Sequence, residues 1–298
     1  MQSITVHAPA KVNLALEVCG LLPGGFHDLD MIMQAVTLYE TVRLEKRPAG
    51  ELTLECRAAD GTLAADIPTD SRNLAWRAAR LFLDAAGIAD GVFVSVTKAV
   101  PSQAGMAGGS ADAAGVLVGL DLLFETGMTV PQLCALGEQL GSDVPFCIVG
   151  GTARVQGRGE RVNPIAPLPA CHLVAVMPHT GSSTPEGFAR YDKYGSPFHP
   201  DVDACAAALA AGDLAALCKN AGNALQTACA TEETALILEK LNAHGAAAAL
   251  LTGTGAVTYG IFTDAAAANA AAEELRQTFA PVFVLAPESR GPHAAACE

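Results

Sequence analysis

The sequence predicts an α+β protein built as two domains, residues 1–165 and 166–298. Three observations point there. A chain of 298 residues is long for one domain, since a domain typically takes ~150. The first sixty residues read as strands, rich in Val, Ile, Leu and Thr with partial alternation. The second half reads strand–helix–strand–strand–helix–strand once its Ala-rich helices are merged, the order of a split-βαβ, ferredoxin-like sandwich.

The elements follow in chain order. Strands are expected at 2–7, 12–19, 30–38, 40–47 and 51–57, with a turn at Leu22-Pro23-Gly24-Gly25. Residues 71–86 place apolar side chains at helical spacing, and Gly87 stops the helix. A strand at 91–97 leads into a glycine-rich stretch, 101–109, which opens a helix from Ser110 to Phe124. A second helix, 131–140, ends at Gly141, and Gly150-Gly151 interrupts a strand. Asn163-Pro164 and Pro167-Leu168-Pro169 make the most linker-like patch, hence the boundary near 165. Beyond it come a strand (172–177), a long loop, helices at 202–216, 219–229 and 232–243, strands at 247–251 and 257–262, a helix at 264–278 and a strand at 282–285. Of 58 alanines, 31 fall after residue 200, which favours helix there because Ala has the highest helix propensity. Asp264 is a good N-cap, and Glu232 and Glu233 suit a first turn. The tail from Gly291 carries no fold signal.

The charge is −13, from 18 Lys+Arg against 31 Asp+Glu. That surplus argues against a nucleic-acid or anionic-membrane surface, which needs clustered cations. It leaves room for a local cationic pocket. With 51% hydrophobic and 16% charged residues, a folded core is expected rather than disorder. No apolar stretch reaches ~18 residues, so no membrane span is expected, and the N-terminus lacks the pattern of a signal peptide. Nine Cys without a C-x-x-C pair read as reduced thiols of a cytoplasmic protein. The histidines show no metal-ligand spacing.

The strongest chemical signal is Pro101-Ser102-Gln103-Ala104-Gly105-Met106-Ala107-Gly108-Gly109-Ser110-Ala111, after a strand and opening a helix. Glycines let the backbone bend and let a ligand approach closely, and the free amides of a helix N-terminus face an anion. Ser110 adds a hydroxyl. This is a phosphate cradle, but it lacks the Gly-Lys-Ser/Thr of a Walker loop and the spacing of G-x-G-x-x-G. Asp143 follows a helix terminator and sits among Gly141, Pro145 and Phe146, which suits either a fixed general base or a helix-cap aspartate. Lys11 stands between Pro9 and the apolar run Val12–Leu16, an awkward place for an unpaired charge.

The loop resembles the central motif of the GHMP kinases. Ala8-Pro9-Ala10-Lys11-Val12-Asn13-Leu14 resembles their N-terminal motif, and Leu251-Thr252-Gly253-Thr254-Gly255-Ala256-Val257-Thr258-Tyr259-Gly260 their C-terminal glycine motif. Within that superfamily, Leu22-Pro23-Gly24-Gly25-Phe26-His27-Asp28-Leu29, Gly141-Ser142-Asp143-Val144-Pro145-Phe146 and Ser183-Thr184 with Phe188 resemble blocks of the kinases acting on 4-diphosphocytidyl-2-C-methyl-D-erythritol. The sequence departs at Leu22 and Gly24, at Phe26 and Phe188 where tyrosines are usual, at Ala111, and at Asn223-Ala224-Leu225-Gln226, which lacks two acids.

The resemblance implies a two-domain GHMP-kinase fold, with an N-terminal domain like domain 2 of ribosomal protein S5 and a ferredoxin-like C-terminal domain. It implies phosphorylation of the 2-hydroxyl of that cytidine substrate in the non-mevalonate route to isoprenoids, with ATP and Mg²⁺. Asp143 is then the base and Lys11 its cationic partner. Residues 101–111, Asn73 and Lys98 contact the nucleotide. Asn13, Phe26, His27, Thr184 and Phe188 hold the acceptor, the two phenylalanines flanking cytosine and His27 reading its edge. The expected partner is a small molecule, with no nucleic acid and no membrane, and the chain a monomer or homodimer. Two other readings stay open: a GHMP kinase of the homoserine or mevalonate type, and a non-catalytic nucleotide-binding regulator.

Overall fold

The computed structural model describes residues 1–295 except 62, 63, 65 and 182. It begins with two long antiparallel strands, β1 (Ser3–Leu21) and β2 (His27–Arg47). Each is continuous where the sequence suggests a pair of shorter strands. The reason is that β1 absorbs its irregularities as register shifts, between Pro9 and Ala10, Asn13 and Ala15, and Val18 and Gly20. Such bulges bend a strand and re-aim its side chains without ending it. Lys11 and Asn13 sit between the first two shifts.

After β3 (Leu52–Ala58), Asn73 caps α1 (Leu74–Ala86) by accepting from Ala75 N–H, and Gly87 closes it in the left-handed conformation. β4 (Gly91–Lys98) pairs with β2 and, in parallel, with β3. The buried helix α2 (Gly108–Phe124) then lies across the sheet. It starts at Gly108, two residues before the expected start. α3 (Val130–Glu138) precedes α4 (Val144–Val149), a helix where the sequence suggests a strand. Pro145 sits in its first turn, a position that proline favours because no donor is lost there. β5 (Thr152–Gly157) and β6 (Arg161–Pro164) form a hairpin on the other part of β2, and β6 was not foreseen.

β7 (His172–Val176) opens the second sheet. The expected long loop contains α5 (Thr184–Tyr194), held by a capping box between Ser183 and Glu186. The expected Ala-rich helices divide into α6 (Val202–Ala210), α7 (Leu214–Asn220), β8 (Gly222–Asn223) and α8 (Gln226–Cys229). Asp213 restarts the helix after Gly212 by capping Ala216 N–H. α9 (Glu232–Ala243), β9 (Ala248–Leu251), β10 (Thr258–Phe262), α10 (Ala265–Arg276) and β11 (Val282–Leu285) follow close to expectation, and Asp264 caps α10. The second sheet runs β11-β7-β10-β9, all antiparallel, which is the ferredoxin-like order.

The tail does carry structure. β12 (His293–Ala294) pairs with β1, and β8 pairs with β1 in parallel, so the first sheet takes strands from both halves of the chain. A buried cluster from Ala10 and Val12 through Leu173 to Tyr259 joins the two sheets. Among the described residues no helix is long and apolar enough to cross a membrane.

Candidate active site

One cavity of about 1130 Å³ opens where β1, the 101–108 loop, the start of α5 and the 253–254 turn meet. Eighteen of the twenty residues singled out from the sequence line it. The exceptions are Met106 and Ala111, both fully buried in the cores on either side of the loop. Their contribution is packing, although the Met106 carbonyl accepts from Lys11 N–H at 3.1 Å.

At the centre, Lys11 is buried and donates from Nζ to Asn13 Oδ1 at 2.7 Å. Asp143 Oδ2 lies 3.9 Å from the same nitrogen. Asp143 stands just before α4, yet its side chain caps nothing, and it is about one-third exposed to the cavity. The helix-cap reading left open by the sequence is therefore not realised. Asn13 is fixed from three directions: its amide donates to Thr252 Oγ1, its carbonyl accepts from Tyr259, and its Oδ1 also accepts from Thr252.

The glycine loop is held by the C-terminal glycine motif. Ala256 N–H and Val257 N–H donate to the carbonyls of Gln103 and Ala104. Gly105 has φ +72°, and a Cβ there would stand 2.2 Å from the Thr252 carbonyl, so no other residue fits. No side chain caps α2, which leaves its first amides facing the cavity. The altered Asn223-Gln226 block keeps a positioning role. Asn223 Nδ2 donates to the carbonyls of Leu251 and Gly253, and Gln226 Oε1 accepts from Leu251 N–H.

Asn73 and Lys98 line the nucleotide side but are already engaged. Asn73 Oδ1 caps α1 and its Nδ2 donates to the Pro68 carbonyl. Lys98 Nζ lies 2.6 Å from Glu40 Oε1 and 2.5 Å from Asp112 Oδ2, both carboxylates being buried and Lys98 largely so. Two carboxylates thus share one ammonium. Burial, then the Asp112 charge, push Glu40 up to about 7 despite Lys98. Burial also raises Asp112, against the pull of Lys98. Burial alone would lower Lys98, but the two carboxylates outweigh it and hold it above its usual range. Asp112 Oδ1 has no hydrogen-bond partner.

At the other end Phe26 and Phe188 both line the cavity. Phe188 stacks on His27, with ring centroids 4.3 Å apart and planes at 22°. His27 Nε2 is 2.7 Å from Asp192 Oδ1, and Thr184 Oγ1 meets Thr254 Oγ1 at 3.1 Å. Phe26 is 56% exposed and lies under the Arg158 guanidinium. The sequence reading did not single out Asp192, Arg158, Thr252 or Thr254. The two threonines belong to the C-terminal motif it had found, whereas Asp192 lay in what read as a loop.

Known proteins resemble this chain throughout its length. The family model described as GHMP kinases N terminal domain matches residues 73–151, and GHMP kinases C terminal matches 205–281. A 4-diphosphocytidyl-2-C-methyl-D-erythritol kinase of Pelotomaculum thermopropionicum is 41% identical over 285 residues, covering 94% of this chain and 96% of the relative. The protein of the same name from Geobacillus thermodenitrificans is 40% identical over 260 residues, 87% of this chain and 88% of the relative. A crystal structure of 4-(cytidine 5'-diphospho)-2C-methyl-D-erythritol kinase superposes with TM-score 0.78 at 31% identity, over 95% of this chain and 98% of that one. A homoserine kinase from Cytophaga hutchinsonii shares the fold, at TM-score 0.74 and 17% identity, over 99% and 98% of the two chains.

Proposed function

The chain belongs to the 4-diphosphocytidyl-2-C-methyl-D-erythritol kinases of the GHMP superfamily, and from that membership we propose how its cavity divides the work. The enzyme transfers the γ-phosphoryl group of ATP to the 2-hydroxyl of 4-diphosphocytidyl-2-C-methyl-D-erythritol, giving the 2-phosphate and ADP. The observation that carries the division is the Lys11–Asp143 pair, 3.9 Å apart at the junction of a glycine cradle and an aromatic pocket within one cavity.

Phosphoryl transfer asks the protein mainly to position the reactants and offset charge. The uncapped amides at Gly108, Gly109 and Ser110 receive the nucleotide phosphates, with the α2 dipole adding to them. Asp143 accepts the proton of the attacking hydroxyl. Lys11, held by Asn13, faces the group in transfer. His27, backed by Asp192 and stacked on Phe188, and Thr184 hold the cytidine end. Asn73 and Lys98 shape the nucleotide wall rather than donate freely to it.

Mg²⁺ fits the nucleotide side. Ser110 and the unpartnered Asp112 Oδ1, on the first turns of α2, would hold it, an oxygen set suited to a hard cation carried chiefly by phosphates and water. When bound, Mg²⁺ neutralises charge on the phosphates. The same reading puts the enzyme in the cytoplasm, where thiols stay reduced. It keeps the monomer or homodimer expectation and the domain division near residue 165.

Incubation with ATP, Mg²⁺ and a panel of alcohols, read by mass spectrometry, tests the assignment. The cytidine substrate should be phosphorylated fastest. Faster turnover of homoserine or mevalonate overturns the substrate, and no phosphorylated alcohol overturns the kinase reading.

A further inference from the structure

Four cations line the cavity among the described residues; two are committed to carboxylates and a third stands at the reacting end. Lys11 serves Asn13 and faces Asp143. Lys98 is enclosed by Glu40 and Asp112. Arg72, on the nucleotide side, is gripped at both oxygens by Asp70. Arg158 is the fourth: its Nη2 donates to Glu138 Oε1 at a long 3.5 Å, and its Nε lies 3.7 Å from Glu160 Oε2. Those distances leave its hydrogen-bonding fork largely unspent.

Its position is built. Arg158 sits at the tip of the β5–β6 hairpin between Gly157 and Gly159, and its own N–H donates to Glu160 Oε2 at 2.7 Å. A Cβ at Gly159 would lie 3.5 Å from Asp143 Oδ1, so the tip rests against the proposed base. From there the guanidinium reaches over Phe26, 5.4 Å from the ring centre. This geometry suits cation–π contact, which orients a guanidinium while leaving its edge free.

The next step rests on the cytidine-substrate reading above. A substrate with its base at His27 and Phe188 and its reacting hydroxyl at Asp143 must lay its diphosphate between them. The carboxylates at that end, Asp143 and Asp192, would repel it. We propose that Arg158 is a specificity-determining residue that receives the acceptor's diphosphate, with Phe26 holding the guanidinium in place. An arginine fork matches phosphate oxygens in pairs, which gives direction as well as charge.

The test compares Arg158→Met and Arg158→Lys with the wild type. Methionine keeps an unbranched apolar stem against Phe26 but loses the fork. The KM for the cytidine substrate should rise roughly 10- to 100-fold, the scale of one lost charge-assisted hydrogen bond, with kcat and the ATP KM within about threefold. Arg158→Lys should recover part of the loss. The second measurement is inhibition by CMP and by CDP. The wild type should prefer CDP, and Arg158→Met should bring the two inhibition constants together. A variant that keeps the CDP preference overturns the proposal. So does one that loses CMP and CDP equally, which would assign Arg158 to the shape of the base pocket alone. If neither nucleotide competes with substrate in the wild type, the cytidine reading fails, and this proposal with it.

Discussion

Lys11 is buried and Lys98 largely so; both stand on strands of the same sheet and line the same cavity. Their surroundings differ. Lys11 meets an amide oxygen at 2.7 Å and one carboxylate at 3.9 Å. Lys98 meets two carboxylates within hydrogen-bond distance, with Glu40 fixed in turn by Ala99 N–H. The first ammonium has capacity left for a ligand and the second has little. A buried lysine is thus a functional candidate only when its protein partners leave it undersatisfied. Completeness of pairing, rather than burial, separates a catalytic cation from a structural one.

The sharpest way to break this contrast is to remove each charge. Asp143→Asn and Lys11→Met should each slow turnover by ~10²–10⁴-fold, the usual range for a lost general base, with melting little changed. Turnover within threefold of wild type for Asp143→Asn would make that residue structural. Lys98→Met should act on stability instead, because it strands two buried carboxylates. Breaking a buried pair costs ~3–5 kcal/mol, or roughly 6–20 °C in melting temperature for a domain of this size class. If Lys11→Met and Lys98→Met lose equal stability, the contrast is void.

At the base end, Phe188→Ala removes the ring that stacks on His27. Base–aromatic stacking is worth ~1–3 kcal/mol per base, so the KM for the cytidine substrate should rise roughly 5- to 150-fold with the ATP KM unchanged. An unchanged acceptor KM in a protein that melts much earlier would reduce Phe188 to packing. The smallest effect is a pH slope. Glu40 is raised from 4.5 to about 7, so the folded protein binds more protons than the unfolded chain between those values. Its contribution to stability is complete below about 4.5 and declines as pH climbs to about 7. Glu40→Gln should flatten that decline in a series of melting curves, and an unaltered slope would place the proton elsewhere.

Much of this was legible in the sequence because the signals were local. The Gly105-Gly108-Gly109 loop and the Asp264 cap each announce themselves within a few residues. What escaped was short or distant. α4 spans Val144–Val149, too few residues for helical periodicity, and its Val, Ile and Phe suit a strand. α5 hid behind Pro185 and Gly187, although Ser183 and Glu186 carried the capping signal. The two-residue strands β8 and β12 have no periodicity at all and exist only because β1 offers them an edge. Lys98 was named as a nucleotide contact by resemblance alone, and nothing near it in sequence reveals Glu40, which β2 brings alongside through its pairing with β4. Arg158 drew no reading because its meaning lies in Phe26 and Asp143, which are distant in the chain.

The return of the chain to β1 has a consequence for the order of synthesis. β1 emerges from the ribosome first, but its neighbours β8 and β12 follow some two hundred and nearly three hundred residues later. Until then the nascent sheet carries an incomplete border at residues 6–7 and 15–16, beside the strand segment that holds Lys11 and Asn13. An unpaired strand edge invites pairing with another chain. A cut near residue 165 would make that interim state permanent, leaving a first sheet that ends in an open edge along the strand that carries Lys11 and Asn13.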